Sequence, residues 1–440
     1  MATIKLRKGY DLKLKGGLTS EEISSTAKPT SCAIIPDDFT GIVPRMDVKE
    51  GQTVDAGDVL YHDKKHETVK VVSPVSGVVK AINRGNRRKI ESIIIECSES
   101  ESKRAIDIQG DAKEALLESG LWVMMRQRPY DIVPNPNKMP RDIFVTCFDS
   151  APLAPSLSVV VGDKIKYINK GVEVLSSLTD GKVYLGCNPG EVIEVPGAET
   201  NIFDGKHPAG NVGVQIANVK PVNKKEVVWT LDIVTLARIG ELFSTGYVSF
   251  ETVVAVVGSE VAKPHLMKTT IGCRIDTLLN KDEMEGNRLI CGNVLSGVRV
   301  NSDGYLRSPY HQVTVIPEIS KKDEFMGWAS LNPKKFSIYR DFTGWIFGNG
   351  KKNVKMDAKM NGGERAIVMS GEYDRMLPMD IYAEFLIKAI IAFDIDKMEQ
   401  LGIYEVAPED FALAEYADTS KLELQRIVRE GLDKMRKEME

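Results

Sequence analysis

A glycine-punctuated series of short apolar segments constrains this chain first. Between Val48 and Leu60 it reads Val48-x-x-Gly51-x-x-Val54-x-x-Gly57-x-x-Leu60. Glycines six residues apart with apolar residues between them fit short strands joined by tight turns, where positive φ is needed. A second half follows as Val69-Lys70-Val71-Val72-Ser73-Pro74-Val75-Ser76-Gly77-Val78-Val79. The two halves predict a flattened barrel of two similar hairpins. Upstream, Ile4, Leu6, Leu12 and Leu14 alternate with basic residues, a half-buried strand pattern. The first hundred residues therefore read as β structure.

This pattern resembles the barrel-sandwich domain of biotin and lipoyl carrier proteins, in which a lysine on an exposed hairpin bears the prosthetic group. The matching hairpin is Tyr61-His62-Asp63-Lys64-Lys65-His66, with Lys65 nine residues before Pro74. The methionines that flank the modified lysine in biotin carriers are missing, and a solvated basic turn is the other reading. His62 and His66 have a metal-ligand spacing only if the segment is helical. It lies between strand patterns, so no metal site is expected.

The period changes at Gly110. Asp111 is placed to cap a helix that runs through Leu121, Trp122 and Met125, up to Arg128-Pro129. Four prolines between Pro129 and Pro140 mark a linker. An α/β pattern then begins: a buried strand over Asp142–Phe148, a helix near Asp163–Leu178, a strand at Val183–Leu185 and a helix near Val228–Phe243 stopped by Gly246. A strand from Phe250 to Val257 closes the unit. Alternating strands and helices predict a parallel, Rossmann-like sheet. A dinucleotide site needs glycines after the first strand, so that backbone N–H groups reach the phosphates. Here that position holds Asp149-Ser150-Ala151-Pro152-Leu153-Ala154-Pro155, without glycine and with two prolines. Gly186–Gly190 lacks P-loop spacing and reads as a turn.

Residues 258–335 read as a small mixed, β-grasp-like domain, with strands at Lys268–Ile271 and Val313–Ile316 and a short helix near Ile275–Leu279. Glycine-rich strand patterns occupy 336–375. The end reads as helical: Asp380 caps a helix through Met398, and Ser420-x-x-Glu423 is a capping box. That box opens an amphipathic helix with Leu424, Ile427, Val428, Leu432 and Met435 on one face. Mixed charges on its other face fit a core or subunit contact rather than a membrane anchor. The expected organisation is an α/β multidomain chain: 1–105 barrel-sandwich, 106–140 helix and linker, 141–257 Rossmann-like without a phosphate loop, 258–335 β-grasp-like, and 336–440 β segment and helical region.

Charge and cysteine content narrow the function. Lys plus Arg number 58 against 62 Asp plus Glu, a net −4, which weighs against nucleic acid as a partner. No apolar run approaches the roughly 20 residues of a membrane span, and the N-terminal residues carry no apolar stretch of secretory-signal length. Among six cysteines the nearest two, Cys273 and Cys291, lie 18 apart. No C-x-x-C is present to hold an iron–sulfur cluster or zinc, and buried reduced thiols are expected.

Several motifs then occur in order: Lys8-Gly9-Tyr10-Asp11-Leu12, Ser119-Gly120-Leu121-Trp122, Arg126-x-Arg128-Pro129, Phe203-Asp204-Gly205-Lys206-His207-Pro208-Ala209-Gly210, Gly327-Trp328, Lys335-Phe336-Ser337 and Arg375-Met376-Leu377-Pro378-Met379-Asp380. By these the chain resembles, over nearly its whole length, the NqrA family, one of the components of the bacterial sodium-translocating NADH:quinone reductase. It departs from that pattern at Lys13, where a proline is common, and at Ser308-Pro309-Tyr310-His311. The resemblance implies a peripheral subunit on the cytoplasmic face of the inner membrane. It implies attachment through partners, above all the membrane component NqrB. The complex couples NADH oxidation and quinone reduction to sodium export. NADH, flavins and iron–sulfur centres would be carried by partner subunits, and none by this chain. It would have no complete activity alone. A non-catalytic scaffold and a carrier-type enzyme using Lys64 or Lys65 are the alternatives.

Quinone is the implied substrate. Its head group is flat and apolar with two acceptor carbonyls, and reduction builds negative charge on them. A site needs an aromatic or aliphatic slot beside donors, preferably cationic. Two segments carry such residues: Phe39, Gly41 and Ile42 in the Ile35–Ile42 loop, and Trp122, Arg126, Arg128 and Tyr130. Trp122 fits a core position equally, and Arg126 and Arg128 can pair with Asp131 or Asp142. His207 is a further candidate, as proton donor or as part of a structural turn. The basic run Arg84–Lys89 reads as a solvated hairpin or a contact with a partner protein or anionic lipid.

Overall fold

The computed structural model describes residues 1–319, 337–339 and 353–439. Gly327-Trp328 and Lys335-Phe336, and part of the glycine-rich pattern at 336–375, lie outside the described residues. The chain's first two strands, β1 (Ala2–Lys5) and β2 (Ile23–Thr26), each join a sheet built by later residues. The glycine-spaced segment then forms two small antiparallel sheets. Its strands are β3 (Ser31–Ile34), β4 (Pro44–Met46), β5 (Thr53–Val54), β6 (Val59–Asp63), β7 (Lys70–Val72), β8 (Gly77–Arg84) and β9 (Ile90–Cys97), ordered β3-β9-β8-β5 and β4-β6-β7. Gly51 and Gly57 adopt φ of +83° and +97°, the turn conformation their spacing predicts. Val54, Leu60, Val71, Val79, Ile93 and Ile95 fill the interior.

Asp111 caps α1 (Ala112–Glu118), accepting from the Lys113 amide at 2.9 Å. This helix ends at Glu118, ten residues before Arg128, up to which the sequence reading extended it. Gly120 turns the chain at φ +74°, and Trp122 and Met125 enter the core. Arg126–Arg128, read from sequence as the end of that helix, is strand β10. The Trp122 ring meets Trp229 edge-on at 4.9 Å, and its Nε1 donates to the Pro134 carbonyl at 2.9 Å.

The α/β unit contains β11 (Asp142–Thr146), α2 (Leu157–Val161), α3 (Ile168–Ser176), β12 (Val183–Cys187), β13 (Ala198–Asp204), α4 (Val212–Val219), β14 (Val228–Asp232) and α5 (Ile233–Thr245). Its sheet runs β1-β13-β12-β11-β14-β10, parallel except for β10. The helix expected over Val228–Phe243 is corrected: its first five residues are a strand. Val228, Trp229, Thr230 and Leu231 are β-favouring and buried. Asp232 then starts α5 by accepting from the Thr235 amide at 2.7 Å. Strand β13 and helix α4 were not anticipated. The strand read as closing this unit, β15 (Glu251–Val257), instead sits centrally in another sheet.

That mixed sheet runs β18-β17-β19-β15-β16-β2, with β16 (His265–Thr270), β17 (Asn287–Cys291), β18 (Val298–Val300) and β19 (Gln312–Pro317), and a short helix α6 (Lys281–Met284). The C-terminal helices are α7 (Glu372–Met376), α8 (Ala383–Ala392), α9 (Ile395–Gln400), α10 (Ala412–Ala417) and α11 (Leu424–Met439). The single helix expected through Met398 breaks at Phe393, in left-handed geometry at φ +51°, and Tyr382 rather than Asp380 precedes it. The Ser420 capping box does not form: the Ser420 hydroxyl donates to the Ala366 carbonyl at 3.0 Å, and α11 starts at Leu424. The apolar stripe of α11 is core. Leu424, Val428, Leu432 and Met435 are fully buried, and Ile427 is half-buried. Among the described residues no helix is long and apolar enough to cross a membrane.

Because Leu432 is sealed in the helical core, Leu432→Ala should lose about 2–5 kcal/mol. Urea unfolding followed by circular dichroism should show a lower midpoint at an unchanged slope. An unmoved midpoint would place α11 outside the cooperative core.

Candidate functional site

Parallel strands β12 and β13 extend the sheet on one side of β11, and β14 extends it on the other. Connections leaving β11 and β14 therefore part, and a crevice opens at their carboxyl ends, the usual ligand position in open α/β sheets. Thr146 and Asp232, register partners at those ends, form its floor. A cavity of about 500 Å³ occupies this crevice. Its remaining walls come from the Asp37–Thr40 loop, β10, residues 292–312 and the segment before α10.

The floor is acidic and holds a histidine. Asp232 Oδ2 lies 3.2 Å from His311 Nε2, and His311 Nδ1 lies 3.1 Å from the Thr252 hydroxyl. Burial alone would raise the Asp232 carboxyl. The His311 hydrogen bond and charge, with the Thr235 amide, outweigh it and hold Asp232 well below the usual range. Asp149 follows β11 and faces the cavity. Enclosure by protein pushes its carboxyl upward, although the Ala151 amide donates to it at 2.8 Å.

Most of the wall cations are committed to protein groups. Arg126 donates to the Val123 and Asp38 carbonyls at 2.9 and 2.6 Å. Arg307 pairs with the Asp38 carboxylate, which also accepts from the Ser308 amide at 2.9 Å. Fully buried Arg128 meets Glu409 at 3.2 Å, Asp410 at 3.5 Å and Asp131 at 3.8 Å. Asp410 lies over the start of α4, where Gly213 is required: a Cβ there would stand 2.4 Å from Asp410 Oδ2. Desolvation among the packed groups of the cleft, although 47% of the side chain stays exposed, and then the Asp410 charge push Glu409 up to about 8, against the partial offset of Arg128.

The residues singled out from sequence divide among four places. Phe39, Arg126, Arg128 and His207 line the cavity. Gly41 and Ile42 line a smaller cavity of about 70 Å³ with Asp63, Lys65 and Arg436. Trp122 is fully buried in the core. Tyr130 is outside the cavity wall, and its carbonyl accepts from Arg429 at 2.6 Å. The alternative pairing holds for Arg128 with Asp131, while Asp142 is taken by Arg141 and Lys220. His207 is buried, 3.0 Å from the Ser150 hydroxyl, and burial pushes it down to about 4. It is thus neutral at pH 7. Lys64 and Lys65 are exposed on the β6–β7 turn.

Sequence reasoning missed Asp38, Asp149, Asp232, Arg238, Arg307, His311 and Glu409. Asp38 was one residue from Phe39. Asp149 began the loop noted for lacking glycine, and His311 ended the stretch that departs from the family pattern. Asp232 was hidden inside a helix that is half strand. Arg238, Arg307 and Glu409 carried no local signal.

Comparison with known proteins gives concordant matches. Residues 4–98 match a family model described as the NqrA N-terminal barrel-sandwich hybrid domain, residues 109–248 the NqrA second alpha/beta domain, and residues 253–302 the NQRA C-terminal domain. The NqrA chain of the Na(+)-translocating NADH-quinone reductase of Vibrio anguillarum is 36% identical over 450 residues, covering 99% of this chain and 100% of that protein. The corresponding chains of Klebsiella pneumoniae and Neisseria meningitidis are 36% and 34% identical, each with 99% and 100% coverage.

Glu409 generates a pH dependence. An unfolded glutamate titrates near pH 4.3, so between about 4.3 and 8 the folded chain holds the extra proton. Its contribution to stability is present at the acid end and fades as pH rises toward 8. Thermal midpoints measured from pH 5 to 8 should fall less steeply in Glu409→Gln than in the wild type. Parallel profiles would contradict the assignment.

Proposed function

The chain belongs to the NqrA family of the Na(+)-translocating NADH-quinone reductase, and from that premise we propose that its strand-end cleft is where this component meets quinone. The observation that carries the reading is a convergence. Phe39 and the two arginines Arg126 and Arg128 come from separate segments, yet they line one cavity. Phe39, Tyr310, Val123 and Leu157 supply flat and aliphatic wall for a ring, and its volume lies in the range of small-molecule sites. Guanidinium groups supply positive potential where reduction builds negative charge.

The same cleft supports the expectation that flavin and iron–sulfur carriers reside elsewhere. Where a nucleotide-binding relative would offer glycine amides, this chain offers the Asp149 and Asp232 carboxylates, which repel phosphate. NADH, flavins and iron–sulfur centres are accordingly assigned to partner subunits. The chain is taken as a peripheral component on the cytoplasmic face of the inner membrane, docked chiefly on the membrane component NqrB. Quinone reduction and sodium export are properties of the assembly and not of this chain alone.

A scaffold role is favoured by one specific observation: Arg126, Arg128 and Arg307 already have protein partners. Quinone titration of the full chain, followed by tryptophan fluorescence and NMR line broadening, separates the readings. Saturable binding that weakens several-fold in Phe39→Ala is expected. No binding by the chain, with turnover of the assembled complex unchanged in Phe39→Ala and Arg126→Ala, would leave the scaffold.

A further inference from the structure

Four guanidinium groups line the cleft, and one differs from the rest. Arg238 projects from α5 on the face that carries Thr235, one turn away, and both residues line the cavity. Only 2% of Arg238 is exposed. Its Nη2 donates to the Glu251 carbonyl at 3.3 Å, and its Nε has no partner. No carboxylate among the described residues pairs with it. Glu241, one turn on, is taken by Lys164 at 2.7 Å, and Asp232 by His311.

A buried guanidinium with no carboxylate in contact is costly to desolvate, and Asp232 and Glu241, which act on it only through space, offset that cost in part. Arginine cannot shed its proton to escape that cost. Arg238 therefore presents unspent donors in a low-dielectric wall of a cavity whose other cations are occupied.

We infer that Arg238 receives a carbonyl oxygen of the bound quinone, an inference that rests on reading the cleft as a quinone site. The charge pattern selects this ligand chemistry. Asp149 and Asp232 line the same cavity, and their carboxylates disfavour entry of a ligand already carrying a phosphate or carboxylate. A neutral ring enters without that penalty and offers an acceptor oxygen. The five-donor fork of Arg238 then lies against the oxygen that gains negative charge when the ring is reduced.

The test uses the full chain and a short-tail benzoquinone. Arg238→Gln should weaken binding about tenfold or more, as expected for loss of a charged hydrogen bond. Arg238→Lys should fall between, since it keeps charge but loses the fork. Thermal unfolding reports whether each variant is folded. Mapping the cross-links of a photoreactive quinone on the wild type needs no variant, and label is expected on Leu157–Val161 or Thr235–Arg238. Undiminished affinity in folded Arg238→Gln, or label confined to Asp37–Thr40 and Glu409–Ala412, would overturn the role of Arg238 and leave the cleft as the quinone site. Label wholly outside the cleft, or no saturable binding by the wild type, would overturn both.

Discussion

The buried Arg128 network is the constraint on which the cleft depends. Arg128 leaves β10, the antiparallel edge strand of the α/β sheet, and meets Asp131 in the following turn and Glu409 and Asp410 ahead of α10. Asp410 in turn accepts from the Ala407 amide at 2.9 Å and sits over the first turn of α4. One guanidinium thus holds the C-terminal helices against the sheet. Removing Arg128 would leave the buried Asp410 carboxylate uncompensated, a loss typically of about 3–5 kcal/mol. The arrangement fixes geometry more than it adds net stability, because desolvating the ions offsets much of their attraction. Without it the crevice would lose one wall, and the strand ends would open to solvent.

The other walls are tied by the same logic. Asp38, from the barrel-sandwich unit, takes Arg307, which lies between β18 and β19, through its carboxylate and Arg126 through its carbonyl. The Asp232–His311–Thr252 chain joins β14 to the mixed sheet. Every wall therefore includes an ionic or charge-assisted contact between segments distant in sequence. The cavity is a product of assembly among units rather than a feature of any one of them.

This explains what was legible in the sequence. Local signals were sound where local physics decides the outcome: the Gly51 and Gly57 turns, the Asp111 cap, the β11 strand and the α11 stripe. They failed where neighbours decide. Ser420 had the right spacing for a capping box, yet its hydroxyl found the Ala366 carbonyl. Val228–Leu231 shares apolar content with the helix that follows, and its place between β11 and β10 settles its weak local β preference as a strand. Phe39, Arg126 and Arg128 were recoverable because aromatic and cationic residues sat close together in two motifs. Arg238 and Glu409 were not, since what distinguishes them is the presence or absence of partners contributed by remote segments.

The loop after β11 stands where a dinucleotide fold carries its phosphate-binding glycines, and its contacts are of another kind. In a phosphate-binding loop the backbone amides point outward to the ligand. Here the Ala151 amide is satisfied by Asp149, and the Gly210 amide by the Ser150 hydroxyl at 2.8 Å. Ser150 is also held by neutral His207, and Gln312 from β19 donates to the Pro152 carbonyl at 3.2 Å. These two amides are satisfied within the protein, and the Asp149 carboxylate faces the crevice. Restoring glycine at one position would not recover a cradle, because β19 and the His207 turn would still hold the loop inward. The loop's conformation thus rests on three elements packed together, among them β19 of the mixed sheet.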